Sequence, residues 1–282
     1  MTAMNALKDY EVVLYERVTL SDGESVAAIV TLNRPESLNC FNEEVTSLLC
    51  KIFSELAKES KLDESSPLVC VILTGKGKAF CAGADLSNPP NPITQSTDLF
   101  YAMKRNPIYY MDQIMVPIIG AVHGYCITGG FELALACDIL IGSSSTKFKD
   151  THCKFNLAPC WGLSQKLQRL IGAGRAKWIS LSAVTIPAEK ALHWGLLTEI
   201  VRDKSVLERS IEMAETIAKN STTMVRRYKR VIVEGGKMDL HHGLQREREL
   251  GLAHYIEVVQ DGSTFEAAKG FIKDDNKARS RL

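Results

Sequence analysis

Hydrophobic and polar positions change their period several times along this chain, and each change marks an element. Tyr10–Leu20 and Ser25–Leu32 are rich in β-forming residues and are separated by Ser-Asp-Gly-Glu, whose Asp-Gly pair is a hairpin signal. From Asn42 to Ser60 the apolar residues fall at Val45, Leu48, Leu49, Ile52, Phe53 and Leu56, the stripe of an amphipathic helix, with Asn42 placed to cap it. Leu68–Thr74 is an unbroken apolar run suited to a strand covered on both faces. Gly75–Leu86 reads as a glycine-bearing turn, and Ser87–Thr97, rich in Pro, Asn and Ser, as an irregular loop. Asp98–Met115 predicts a helix and Val116–Val122 a strand; a turn, a helix and a strand at Ile139–Gly142 follow. Strands alternating with helices through Ser143 indicate α/β architecture with parallel strand pairs.

After Trp161 the pattern turns helical. Leu163–Leu170, Arg175–Ser182, Pro187–Trp194, Lys204–Lys219, Thr223–Gly235, Leu240–Gln260 and Thr264–Asp274 all predict helices, interrupted by a short strand near Thr198–Arg202. The expected organisation is a core over residues 1–205 and a helical C-terminal cap over 206–282 of the same domain. No fixed-period repeat and no separating linker is visible.

Within this pattern Gly124–Asp138, reading GYCITGGFELALACD, carries one carboxylate, Glu132, inside an apolar run. A charged and unpaired Glu buried there would cost several kcal/mol, so it either faces water or has a task. Two turns, Ala82-Gly83-Ala84-Asp85 and Thr128-Gly129-Gly130, each follow a predicted strand. Small residues in such turns leave backbone N–H groups open to a ligand, and Gly129 lies near a helix N-terminus. Two N–H groups aimed at one point would form an oxyanion hole, although each turn alone is equally plain turn chemistry.

Composition narrows the partners. The 282 residues carry 34 Lys+Arg against 33 Asp+Glu, so bulk charge recommends neither nucleic acid nor an anionic membrane. The run Arg226-Arg227-Tyr228-Lys229-Arg230 reads as a solvated helix face. Eight cysteines form no CxxC and no metal-ligand spacing with histidine; they read as reduced thiols in or near the core of an intracellular protein, with no metal expected. The start shows no secretory signal, and Gln113–Phe131, broken by Pro117, His123 and glycines, argues against a transmembrane helix. The last residues, Ser280-Arg281-Leu282, look like a peroxisomal address read by the import receptor; without it the expected location is cytosolic.

Five segments in order along the chain, RPESLNCFN, KAFCAGADL, GYCITGGFELALACD, WGLSQKLQRLIGAGRAKWISL and AEKALHWGLLTEIV, resemble the enoyl-CoA hydratase/isomerase (crotonase) family over roughly residues 10–205. The resemblance implies a crotonase-like ββα spiral core with a helical C-terminal cap, an acyl-CoA thioester substrate, and homotrimers or hexamers with the C-terminal helices at the contacts. It implies no separate cofactor, since CoA is part of the substrate. Ala84 and Gly129 would donate the N–H groups that hold the thioester oxygen, and Ala82, Gly83, Asp85 and Leu86 would line the CoA and acyl path. Glu132 matches the family's first catalytic glutamate, which handles the water added across the 2,3 double bond of a trans-2-enoyl-CoA to give 3-hydroxyacyl-CoA.

Three positions depart from the family pattern. His152 stands where hydratases carry their second glutamate; it is either an acid–base group, supported by Asp150, or a pocket residue. Glu36 occupies the place of a frequent Lys near the CoA phosphates, which leaves the ADP end to other cations. Trp161 replaces a small residue and either narrows the acyl pocket or plugs the core. The altered second position keeps hydratase-lyase, isomerase and thioester hydrolase chemistry open beside hydration, as well as a non-catalytic acyl-CoA-binding role.

Overall fold

The hairpin expected at the N-terminus is β1 (Val13–Thr19) against β2 (Val26–Leu32), antiparallel from Val13 opposite Leu32 to Thr19 opposite Val26. Its turn is closed by Asp22, whose Oδ1 accepts the N–H groups of Glu24 and Ser25 at 3.0 and 2.8 Å. The computed structural model describes residues 11–61, 66–90 and 99–261. The helix predicted at Thr264–Asp274, the Ser280-Arg281-Leu282 terminus and residues 91–97 of the loop lie outside the described residues.

Helix α1 (Glu43–Lys61) buries the whole predicted stripe, and the Asn42 side chain caps it by accepting the Val45 N–H at 3.1 Å. Strand β3 (Leu68–Gly75) is buried at every position, as an unbroken apolar run requires. Its side chains feed two cores: Leu68, Val71 and Leu73 join one, and Val69, Cys70 and Ile72 the other. The chain continues through β4 (Ala79–Cys81), α2 (Leu99–Lys104), α3 (Pro107–Met111), β5 (Ile118–Val122), β6 (Tyr125–Ile127), α4 (Gly129–Leu135), β7 (Ile139–Ser143) and β8 (Lys147–Lys149). Then come α5 (Leu163–Ile171), α6 (Ala173–Ser182), β9 (Thr185–Pro187), α7 (Ala188–His193), β10 (Glu199–Val201), α8 (Val206–Ala218), α9 (Thr222–Gly235) and α10 (Leu240–Asp261).

The helix expected over Asp98–Met115 is two helices. Pro107 has no N–H to continue a helix and opens α3, while the Asn106 side chain caps it by accepting the Ile108 N–H at 2.9 Å.

Six strands form a sheet in the order β1-β2-β3-β5-β7-β10, parallel except for the β1–β2 hairpin. Four three-residue strands form a second sheet, β4-β6-β8-β9. Three times a strand of the large sheet is followed by a strand of the small one and then a helix: β3-β4-α2, β5-β6-α4 and β7-β8-α5. This is the expected ββα winding. It brings the loops after β4, β6 and β8 side by side, because those strands are neighbours in the small sheet.

The chain divides into compact units at residues 1–226 and 227–282. The first runs past residue 205, where the sequence reading ends the core, because Val206 and Ala214 of α8 join the second hydrophobic core. α8 begins with a capping box, in which Ser205 and Glu208 exchange side-chain and backbone hydrogen bonds. In the second unit Arg227 pairs with Glu257 at 2.5 Å and Arg246 with Glu234 at 2.6 Å, while Leu240, Leu252 and Tyr255 of α10 stay exposed. Among the described residues no helix is long and apolar enough to cross a membrane.

Candidate active site

The first glycine-bearing turn leaves β4 at Cys81 and is fixed by the Arg34–Phe41 segment. Asn39 is the hub: it is 1% exposed and at φ +57, and its amide donates to the carbonyls of Lys76 and Ala79 at 2.9 and 2.7 Å. Ala82 N–H donates to Leu38 O at 3.0 Å, Phe41 N–H to Gly83 O at 2.9 Å and Asp85 N–H to Phe41 O at 3.0 Å. Gly83 takes φ +97, and a Cβ there would stand 2.9 Å from Ile127 O and 3.4 Å from Gly129 N. The two turns therefore meet.

The second turn leaves β6 through Thr128, a non-glycine residue at φ +50 and ψ −107. Such a conformation costs on the order of 1–3 kcal/mol and persists only when its surroundings over-determine it. The restraint comes from the loop after β8. Thr128 N–H donates to Lys149 O at 2.8 Å, Thr128 Oγ1 accepts the Thr151 N–H at 3.0 Å, and the two threonine hydroxyls hydrogen-bond each other. Gly129 and Gly130 then open α4 at close quarters: a Cβ on Gly129 would lie 2.4 Å from Phe41 Cζ, and one on Gly130 2.2 Å from Cys81 O. Among the described residues, neither the Ala84 N–H nor the Gly129 N–H donates to a backbone carbonyl of these loops.

Glu132 sits one turn into α4 and is 3% exposed. Its Oε1 accepts the N–H groups of Trp161 and Leu163, at the entry to α5, at 2.9 and 3.3 Å. Its Oε2 faces His152 Nε2 at 3.9 Å, too long for a direct hydrogen bond. On its other side the His152 ring meets Asp150, with Nδ1 2.7 Å from Oδ1, and the same carboxylate oxygen accepts the His152 backbone N–H at 3.0 Å. Since a carboxylate accepts, Nδ1 carries the proton toward Asp150 and Nε2 is the nitrogen presented to Glu132.

Each group is tuned by its neighbours. Burial raises the Glu132 pKa, against the opposing pull of His152 and the two backbone N–H groups. Burial disfavours a charged His152, but the Asp150 hydrogen bond and the charge of Glu132 outweigh it, and the net direction is upward. Asp150 is pushed up by burial, yet hydrogen bonds from His152 and Ser180 carry it below the ordinary carboxylate value. Glu132 and His152 thus present a carboxylate oxygen and a ring nitrogen to each other across 3.9 Å, a pair suited to acid–base chemistry.

A cleft of about 590 Å³ opens beside Ala84, with Ala82, Asp85 and Leu86 on one wall and Ile127, Thr151, Lys154 and Phe155 on another. Gly83 lies behind that wall, packed against the second turn. Asp85 is held by Arg34 at 3.1 Å and by Ser87, so it fixes its own loop. The cleft also carries cations that sequence reasoning missed: Arg34, Lys149 and Lys154, the two lysines without an ion-pair partner among the described residues. Only the absence of a Lys at Glu36 pointed toward them. All eight cysteines are free, as the sequence reading of reduced thiols in or near the core expects, and Cys153 and Cys160 are exposed beside the site.

A family profile described as Enoyl-CoA hydratase/isomerase matches residues 22–269. The chain is 38% identical over 254 residues to an Arabidopsis thaliana protein named "Probable enoyl-CoA hydratase 1, peroxisomal", covering 89% of this chain and 92% of that one. Among solved structures, an enoyl-CoA hydratase from Bacillus anthracis is 30% identical with a TM-score of 0.78, covering 93% of this chain and 96% of that one. A Thermobifida fusca YX protein solved in complex with acetoacetyl-CoA is 25% identical with a TM-score of 0.74, covering 91% of this chain and 98% of that one.

Proposed function

The chain belongs to the enoyl-CoA hydratase/isomerase family, and from that premise we propose that it hydrates a trans-2-enoyl-CoA to a 3-hydroxyacyl-CoA. The observation that carries the reading is the meeting of the two glycine-bearing turns, where a Cβ on Gly83 would stand 3.4 Å from Gly129 N, together with the buried Glu132–His152–Asp150 trio. The thioester oxygen sits between Ala84 N–H and Gly129 N–H, which stabilise the charge it gains as the β-carbon is attacked. Glu132 takes a proton from water, and the hydroxide oxygen bonds to the β-carbon. The double-bond electrons move onto the thioester as an enolate. Imidazolium His152, held and charged by Asp150, delivers the Nε2 proton to the α-carbon. Proton transfer from Glu132 to His152 restores the starting state, and the net change is one water added.

CoA enters as part of the substrate, so the reaction needs no separate cofactor. Lys149 and Lys154, with Arg34, offer its phosphates the positive charge that Glu36 does not. The acetoacetyl-CoA complex of the Thermobifida relative supports the substrate class. The peroxisomal name of the Arabidopsis relative and the Ser280-Arg281-Leu282 terminus support a peroxisomal, β-oxidation setting. The exposed apolar residues of α10 support assembly into trimers or hexamers.

Incubation with crotonyl-CoA and longer enoyl-CoAs tests this directly. The conjugated-enone absorbance should fall, and mass spectrometry should find a product heavier by one water. Tight binding with no loss of enone at any chain length would end the hydratase reading, and a cleaved or hydrolysed product would replace it with another enolate chemistry.

A further inference from the structure

One aromatic pair lies next to the site and belongs to none of the groups that move protons. The Phe41 and Trp161 rings stack with centroids 4.9 Å apart and planes 19° from parallel. They are 2% and 8% exposed. Phe41 lies against the second turn, close enough that a Cβ on Gly129 would overlap its Cζ. Trp161 is tied at the other end, its backbone N–H donating to Glu132 Oε1 at 2.9 Å. One ring of the stack therefore packs against Gly129, and the other belongs to the residue whose main chain holds Glu132.

Conjugation fixes what meets that pair. In a 2-enoyl thioester the carbonyl, α-carbon and β-carbon form one planar unit. On the hydratase reading the oxygen lies at Ala84 and Gly129, CoA leaves along the cleft at Ala84, and the β-carbon is directed to Glu132. The first tail carbon then continues away from the cleft, into the region bounded by the two rings. Both rings are packed into a core cluster with Val45, Leu163 and Leu167. A long tail could advance only by separating them.

We propose that the Phe41–Trp161 stack ends the acyl pocket, making the enzyme selective for short-chain enoyl-CoA thioesters, and that Trp161 is the specificity-determining residue. This rests on the hydratase reading above. Each methylene forced against a filled pocket costs on the order of tenfold, so a six-carbon extension is rejected strongly.

The test compares kcat/KM for crotonyl-CoA and trans-2-decenoyl-CoA. The wild-type ratio should favour the shorter substrate by at least ~100-fold, and Trp161→Ala should reduce that ratio by at least ~10-fold. Trp161→Phe, which keeps a ring and removes less volume, should fall between, and carries the test if the alanine variant does not fold. A wild-type ratio within about threefold, or a ratio unmoved by either variant, overturns the proposal. Should the wild-type protein turn over neither substrate, the hydratase reading fails, but calorimetry with butyryl-CoA and decanoyl-CoA still measures the pocket. Tighter binding of the shorter ester, relaxed by Trp161→Phe, supports the stop; equal affinities overturn it.

Discussion

The two turns that flank the proposed thioester position are built on opposite plans. The first uses glycine at φ +97 and is held by backbone hydrogen bonds to Leu38 and Phe41, a segment that plays no part in moving protons. The second uses threonine at φ +50 and is held by Lys149 and Thr151, which flank Asp150 and immediately precede His152. The first donor stands apart from the acid–base machinery, whereas the second is fastened to it. A disturbance of the second turn should therefore reach the proton-transfer groups, and a disturbance of the first should not.

The largest expected effect sets the scale for that comparison. Glu132→Gln keeps the shape and the backbone hydrogen bonds but removes the base, and should lower kcat about 10³-fold while leaving CoA-ester binding within about threefold. Steady-state kinetics together with titration calorimetry check both halves.

Gly83→Ala should come next. A Cβ at that φ meets Ile127 O and stands 3.4 Å from Gly129 N, so both donors shift while the Thr128–Thr151 hydrogen bonds stay, and kcat should fall by about 100-fold. The pH profile should keep its position. The native profile should be a bell: activity should be lost as pH falls through the raised Glu132 pKa, which protonates the proposed base, and as pH rises through the raised His152 pKa, which removes the proposed acid.

Thr151→Val should have the smallest effect on rate, about tenfold, because the staple loses one hydroxyl and keeps its backbone bond. Its alkaline limb should nevertheless move to lower pH, since His152 drifts from the Asp150 carboxylate that raises its pKa. A Gly83→Ala profile that shifts, or a Thr151→Val profile that does not, would erase the distinction between the turns.

Much of this was legible in the sequence where one residue type in one local pattern sufficed. The α1 stripe, the fully buried β3, Glu132 within its apolar run and the glycines after β4 and β6 all express short-range periodicity or turn chemistry. The small sheet was not legible, because three-residue strands are too short to show an alternation. The same limit hid Lys149 and Lys154, which β8 and the loop after it place on the cleft. The resemblance pointed to His152 and the two-residue spacing to Asp150 as its support, but only the structure shows that Thr128 holds their loop. Phe41 was invisible as a site residue, since its significance lies in a contact with Gly129 across 88 positions of chain (129 − 41).

Trp161 does two things with two different parts of itself. Its main chain restrains Glu132, and its side chain forms a wall. Any residue other than proline could supply that restraint, so the side chain is at liberty to change without dismantling the reaction. The position is a natural dial for diversification: one codon there could retune which esters are accepted while the chemistry is inherited intact.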